Sequence, residues 1–594
     1  MTYSPEGIMF SQKLESLLMV SLEATRNERE TFDDLSAGVD SENDTWEIVV
    51  KYNSQSEDIF VNTITTSYPG TLVYPLLCNY SVIVTSRENV NLIAADPVIE
   101  YVEKPKILYF DLINEKRESC VTGVTGGTAL MLPSLSGRGV AVAVIDTGIN
   151  VDDPAFKNPD GSTRILRMWD QNTDMYYDSD SINEEIAKRN NPVLFEDNFP
   201  GRRDASSDSQ SATGLFEDIL RHGINVCKIA CGNDGVAYGA SIIFVKIKRS
   251  MGGFSTTTDM MRAVDYCIRT AASLSMPVAL NISFGNNYGP HLSDDIQTSY
   301  INDVSGVWKC NICVGSGNEG EGAIHTQGDF GTGESMEFEL AVREYETDIS
   351  FAVWRSGLDR MDIKVVSPEG FSYIIPDNAS VINRGKLGNV EIIAFNGQLK
   401  PFSSAMEVFI GLIPVNDYVT PGLWKLIITG NNIKNGHIDM WLPTTVTLNS
   451  GTGFLKPSSG MTYTIPSTAE RVITVGAYDS LRNIVSTFSG RGYLSRTGYD
   501  VRVKPDLIAP GENVVINETT VVSGTSFAVP FCTGAAALLM EWGIVRGNDP
   551  YMYGDKLKTY LQRGAKPIEG LDAPSSSQGW GRLCLRNSLP IDGM

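Results

Sequence analysis

The sequence predicts an α/β protein organised on a parallel sheet, preceded by a small α+β unit and interrupted by an antiparallel β-sandwich. Gly139 to Ile145, Ser241 to Ile247 and Pro277 to Ile282 are continuous apolar runs, the pattern a strand needs when both of its faces are covered. Between the last two runs, Thr256 to Ser273 places Met260, Met261, Val264, Cys267 and Ile268 at helical spacing. Strands and helices alternating in this way build a parallel sheet. From 328 to 448 the apolar period falls to two, with Gly, Asn and Pro turns, as in an antiparallel sandwich.

Taken in order, residues 1–110 form the first unit. Leu14, Leu17, Leu18, Val20 and Leu22 are interleaved with Lys13, Glu15 and Glu23, which predicts an amphipathic helix. After the polar, acidic stretch Arg26 to Asp44 come strands Trp46 to Tyr52 and Tyr80 to Thr85, a short helix Glu88 to Ala95 and a closing strand Val98 to Glu103. Strands split around helices on this scale give a small α+β sandwich. The parallel-sheet domain occupies 111–327 and resumes over 449–594, on either side of the insert 328–448. In the insert, Met336 to Val342, Met361 to Val365 and Leu423 to Ile428 alternate. Beyond it, Arg471 to Val475 reads as a strand and Ser526 to Trp542 as a long apolar helix.

A chain of 594 residues is too long for one core. A hydrophobic content of 42% describes packed protein and excludes a disordered chain. The formal net charge of -23 argues against nucleic acid as a partner and is accounted for by solubility. Nine scattered cysteines are an odd number and no disulfide framework, which leaves a reducing compartment or buried thiols. Cys310 and Cys313 have metal-ligand spacing but lie in the apolar stretch Val307 to Val314 without a second pair, so no metal site is expected. Met1 to Phe10 carries Glu6 and lacks a basic signal region, and no run of eighteen apolar residues provides a membrane span. The expectation is a protein made in the cytoplasm, spore-associated or released without a signal, with no membrane partner.

Acyl transfer by serine needs an exposed hydroxyl on a rigid turn, an imidazole, a carboxylate to orient it, and donors for the oxyanion. Asp146 directly follows the run Gly139 to Ile145, at the sheet's carboxyl edge where sites of open α/β folds collect. His222 precedes a glycine and the apolar run Val226 to Ala230. Ser526 sits after small residues at the head of the apolar helix, whose first amides can stabilise an anion. Asn318, in Gly315 to Gly320, offers an amide donor. Each has a structural reading when taken alone: Asp146 as a cap, His222 as a core histidine, the asparagine segment as an ordinary turn.

Together these residues resemble the subtilisin-like serine proteases. The order Asp146, His222, Asn318, Ser526 fits that family, as do Ser523-Gly-Thr-Ser526 with Ala528 and Pro530, Asn281 to Gly285, Pro505 to Gly511, and Gly579 to Leu583. Within the family the chain is most similar to the clostridial Csp-type germination subtilases, through Pro421 to Trp424 and Gly436 to Trp441. The resemblance implies a mostly parallel sheet between helices, an N-terminal prodomain over 1–110 and a jelly-roll insert. It implies an endopeptidase acting on protein or peptide substrates, with Ser283, Phe284, Gly285, Gly315, Ser316 and Gly317 lining the substrate pocket. It further implies that the prodomain is cut by the enzyme and retained, the expected cut lying between Lys106 and Cys120, just after Phe110. The resemblance implies no cofactor other than calcium, which is common in the family, and no loop here nominates a site for it.

One departure stands out. The family's His-Gly-Thr-His-Val-Ala-Gly reads His222-Gly-Ile-Asn-Val-Cys-Lys228, with Ile224, Asn225 and Lys228 in place of the Thr, the second His and the last Gly. That keeps an alternative open, a weakly active or inactive scaffold that signals by binding.

Overall fold

The computed structural model describes residues 13–31, 33–40, 43–110, 135–190, 221–249, 255–377, 382–400, 403–497, 500–517 and 520–590. Expectations attached to Met1 to Phe10, to Cys120 and to segment 111–134 lie outside the described residues.

The N-terminal unit begins with helix α1 (Ser16–Glu23) and is built on strand β1 (Thr45–Tyr52), the hub of a five-stranded antiparallel sheet. Alternation along β1 sends Trp46, Ile48, Val50 and Tyr52 into the unit's own core, with Phe60, Ile64, Val90 and Ile93 from its helices. Val49 points the other way, with Leu76, Tyr80, Val82 and Tyr101, into the core of the next domain. Helix α1 is not simply amphipathic. Leu14 and the helix residues Leu18 and Leu22 pack in the unit's core, while Leu17 and Val20 pack on Ile393, Phe395, Phe409 and Ile413 of the insert. Between two apolar partners the short polar residues Ser16 and Ser21 are buried as well.

The unit ends in strand β2 (Ile107–Phe110), which leaves for the second domain. There the central strand β3 (Ala141–Asp146) is flanked in parallel by β4 (Ser241–Lys246) and β6 (Val278–Ile282), within a nine-stranded sheet. Ala141, Ala143 and Ile145 face helices α3 (Thr257–Ser273) and α4 (Ile296–Val304). Val142 and Val144 face helices α2 (His222–Cys231) and α5 (Thr525–Met540). Two covered faces are why these strands carry no polar alternation. Strand β8 (Cys310–Gly315) follows beside β6, then β9 (Ile473–Asp479), all in parallel. Short strands β5 (Ser255–Thr256) and β7 (Phe284–Gly285) lie outside this sheet, one on each side of β2.

The apolar helix that opens with α5 meets, over Thr525–Val545, the length and composition for crossing a membrane, with mean hydropathy 1.5. The sequence reading missed this because its polar residues are small. Here 78% of its eighteen-residue apolar window is buried inside the protein, as befits a core helix.

The insert is two antiparallel sheets of six and five strands. It begins with His325–Asp329 and is closed by Gly453–Phe454, several residues outside the expected 328 and 448 at each end. Trp424, Leu426 and Ile428 of one sheet meet Val353, Ile410 and Met440 of the other. The insert also holds the N-terminal unit, through Ser350 Oγ donating to Asp34 at 2.6 Å and Arg384 paired with Glu28.

Glu103, at the end of the N-terminal unit, accepts a 3.1 Å bond from the Ile296 amide and so caps α4 of the second domain. Burial pushes its carboxyl up to about 7; Lys106 and Lys400 oppose that rise, and Glu15 and Asp295 add to it. An unfolded chain ionises this group near 4.5, so each step upward in pH between 4.5 and about 7 favours unfolding, and the effect levels off above that. The expected outcome is a loss of thermal stability from about pH 5 to about pH 8 that is smaller in Glu103→Gln, which keeps an acceptor for Ile296. Equal slopes in the two proteins would contradict it.

Candidate active site

Asp146 ends β3 at the carboxyl edge of the sheet and is fully buried. Its Oδ1 accepts from the Thr147 amide at 2.7 Å and from the Thr147 hydroxyl at 3.2 Å. The same oxygen lies 2.7 Å from Nδ1 of His222, the first residue of α2. A Cβ on Gly223 would stand 2.3 Å from the Gly148 carbonyl and 3.0 Å from Asp146 Cβ, so only glycine lets α2 start this close to the carboxylate. Of the four altered positions on α2, Cys227 lies in the core. Ile224 and Asn225 are buried, and Lys228 reaches Asp153 at 2.6 Å.

Ser526 occupies the first turn of α5, behind Gly524. All sixteen residues of that helix are buried, so its terminal groups have no water to turn to. The Ser526 hydroxyl donates to the Ser283 carbonyl at 2.8 Å. The Ser526 carbonyl would normally accept from the residue four positions on, but that residue is Pro530, which has no N–H. The Ser283 hydroxyl takes the role at 3.2 Å. Asn281 fixes that hydroxyl from β6, donating to Ser283 Oγ at 2.7 Å and accepting from Thr533 Oγ1 at 3.0 Å. The ring of Phe527 stands 5.2 Å from that of His222 and brings the two helices together.

Asn318 follows β8. Its Oδ1 accepts from the Thr525 amide at 2.9 Å and from the Thr525 hydroxyl at 3.2 Å. Since a backbone amide can only donate, it is the side-chain carbonyl and not the NH2 that faces Thr525. That Nδ2 is buried and has no partner among the described residues. The Thr525 hydroxyl also accepts from the Gly317 amide at 3.1 Å, tying the loop 315–318 to the helix start.

Of the expected pocket residues, Ser283 accepts from the serine hydroxyl, and Gly285 and Gly317 both lie against the side chain of Thr464. Strand β7 pairs antiparallel with the tail of the N-terminal unit, Gly285 opposite Tyr109 and Phe284 opposite Phe110, while β5 holds the tail's other edge. Phe110 is thus opposite Phe284, one position short of Ser283, on which the serine hydroxyl rests, and the residue after it lies outside the described residues. The sequence reading passed over Thr525 and Thr464. Thr525 had a signal, standing directly before the serine, whereas Thr464 is brought in only by the fold. Among the described residues no group of three or more His, Cys, Asp or Glu side chains is arranged to hold a metal.

A model of the Csp protease B prodomain matches residues 12–106, and one of the subtilase family matches 137–436 and 429–581. The CspB protease of Clostridium perfringens is similar in structure, at 33% identity and a TM-score of 0.69, over 79% of this chain and 95% of that one. Serine protease AprX of Bacillus subtilis is 31% identical over 149 residues. That match takes in 21% of this chain and spans only 31% of AprX.

Thr525→Val keeps the shape of the side chain but leaves the buried Gly317 amide without its acceptor. The expected cost is about 1–3 kcal/mol in denaturant unfolding. An unchanged midpoint would show that the loop does not depend on this hydroxyl.

Proposed function

Because the chain belongs to the subtilase family, we propose that it is a serine endopeptidase, with Ser526 as nucleophile, His222 as general base and Asp146 as the group that orients the imidazole. The observation that carries the proposal is the buried 2.7 Å contact between His222 Nδ1 and Asp146 Oδ1. It holds the proton on Nδ1 and leaves Nε2 as the basic nitrogen.

The reaction follows from the groups in place. A peptide continuing along β7 donates an N–H to the Ser283 carbonyl, the acceptor that the Ser526 hydroxyl uses when no substrate competes. Displaced from it, the hydroxyl turns to His222 Nε2. The oxygen attacks the scissile carbonyl carbon, His222 takes the proton, and the developing oxyanion is received by Asn318 Nδ2 and the Ser526 amide. His222 then gives the proton to the leaving amine. Water, deprotonated by the same nitrogen, releases the acyl group and restores the serine.

The pairing of β2 with β5 and β7 supports a second element of the proposal, that the prodomain's tail occupies the substrate cleft and inhibits until it is cut by Ser526. The proposed window for this cut runs from Lys106 to Cys120, most of it outside the described residues.

Ser526→Ala is expected to lower kcat on a protein substrate by about 10⁶-fold, and Asn318→Ala by about 10²–10³-fold. Intact-mass measurement should find a processed wild type and an uncut Ser526→Ala chain. Identical cutting in both would overturn self-processing, and a fully active Ser526→Ala would overturn the proposal itself. A folded wild type without peptidase activity would favour a scaffold that works by binding.

A further inference from the structure

A cavity lies where the N-terminal unit, the second domain and the insert meet. Leu17 of α1, Asn287 and Asp294 of the segment before α4, and Trp354, Phe409 and Trp441 of the insert all line it. None of its described lining residues belongs to the set around Ser526. The cavity has room for about two or three waters, which suits a molecule of only a few heavy atoms.

Three of the side chains that line it carry a buried polar atom without a partner among the described residues. Asn287 is 5% exposed, and its Nδ2 donates to the Leu442 carbonyl at 3.5 Å, which leaves Oδ1 unmet. Trp354 is 7% exposed, and its indole N–H has no acceptor. Asp294 is hydrogen-bonded by Ser403, yet its Oδ1 has no donor. Folded proteins leave few such atoms, and here two acceptors and one donor gather around a single cavity.

The charges around the cavity are also unbalanced. Lys106 is engaged by Glu15 at 2.9 Å and by Glu103 at 3.3 Å. Asp295 is turned to the start of α4, where it accepts from the Thr298 amide at 2.9 Å. Asp294 and Glu407 are then left with Lys400. Burial pushes both of these carboxyls up, and Lys400 opposes each rise without cancelling it. One further positive charge would serve both acids, and the aromatic lining from Phe351, Phe409 and Trp441 suits a cation that has left water.

We propose that this junction binds a small organic ammonium ion that carries an oxygen acceptor a few bonds from its nitrogen, such as an amino alcohol or a very small amino acid. The ammonium group donates to Asn287 Oδ1 and Asp294 Oδ1, and the ligand's oxygen accepts from Trp354 Nε1. Water alone matches the set less well, because it brings no positive charge to Asp294. All three units supply lining residues, so the ligand binds their assembled form and stabilises the N-terminal unit on the rest of the chain. The site uses no member of the triad and stands independently of the endopeptidase reading.

The test is calorimetric titration of the full chain with ethanolamine, glycine and acetate. Ethanolamine or glycine is expected to bind one to one at millimolar concentration or below, and the tighter of the two tells whether the acceptor is a hydroxyl or a carboxylate. Acetate, which lacks the ammonium group, should bind at least about 10-fold more weakly. Trp354→Phe removes the indole N–H and should weaken binding by about 2–10-fold, and Asp294→Asn, which keeps the shape and removes the charge, by at least about 10-fold. The bound amine should raise the thermal midpoint of wild type more than that of Asp294→Asn. Midpoints without ligand show whether each variant folds, and either folded variant suffices for the test. Failure of both amines to bind, acetate binding as tightly as they do, or an affinity unchanged in a folded variant would overturn the proposal. So would a crystal structure of the amine-saturated protein that shows only water in the cavity.

Discussion

A helix buried along its whole length cannot leave the polar groups of its first turn to solvent, and α5 is such a helix. Each of those groups must be met by a neighbouring strand. The Thr525 amide is met by Asn318 and the Ser526 carbonyl by Ser283, whose hydroxyl is held by Asn281; more than two turns further along, Asn281 also accepts from Thr533. These are the residues that border the reactive serine. The demand for satisfied hydrogen bonds at the helix start therefore also aligns the nucleophile, the amide donor and the substrate strand. Pro530 sharpens the demand by removing the intrahelical donor that would otherwise have served Ser526.

The base is positioned by a different constraint. Asp146 ends a strand covered on both faces, and Gly223 lets helix α2 begin against it. Ile224 adds to the core and Lys228 pairs with Asp153. The segment's departure from the family pattern is thus absorbed by core packing and the ion pair with Asp153.

The parallel strands were legible because burial on two faces leaves an unmistakable apolar run, and Asp146 because it stands where such a run stops. Ser526 and Asn318 were legible as members of a spaced set. The contacts formed around them were harder to read. Thr464 and Ser316 come from segments far apart in the chain, and no local pattern announces that they meet. Helix α1 was read as amphipathic because a single sequence shows a polar face without showing what covers it; here it lies between the prodomain core and the insert. The bounds of the insert shifted because its outermost strands, His325–Asp329 and Gly453–Phe454, are short and rich in polar residues and glycine.

The account stands or falls on whether the hydroxyl held on Ser283 is the reactive one. The direct measurement is treatment of the folded chain with a fluorophosphonate, followed by intact mass and peptide mapping. The account predicts one adduct, on Ser526, that is lost in His222→Ala although the serine itself is retained. A folded wild type that takes up no label, or takes it up at another residue, would contradict it.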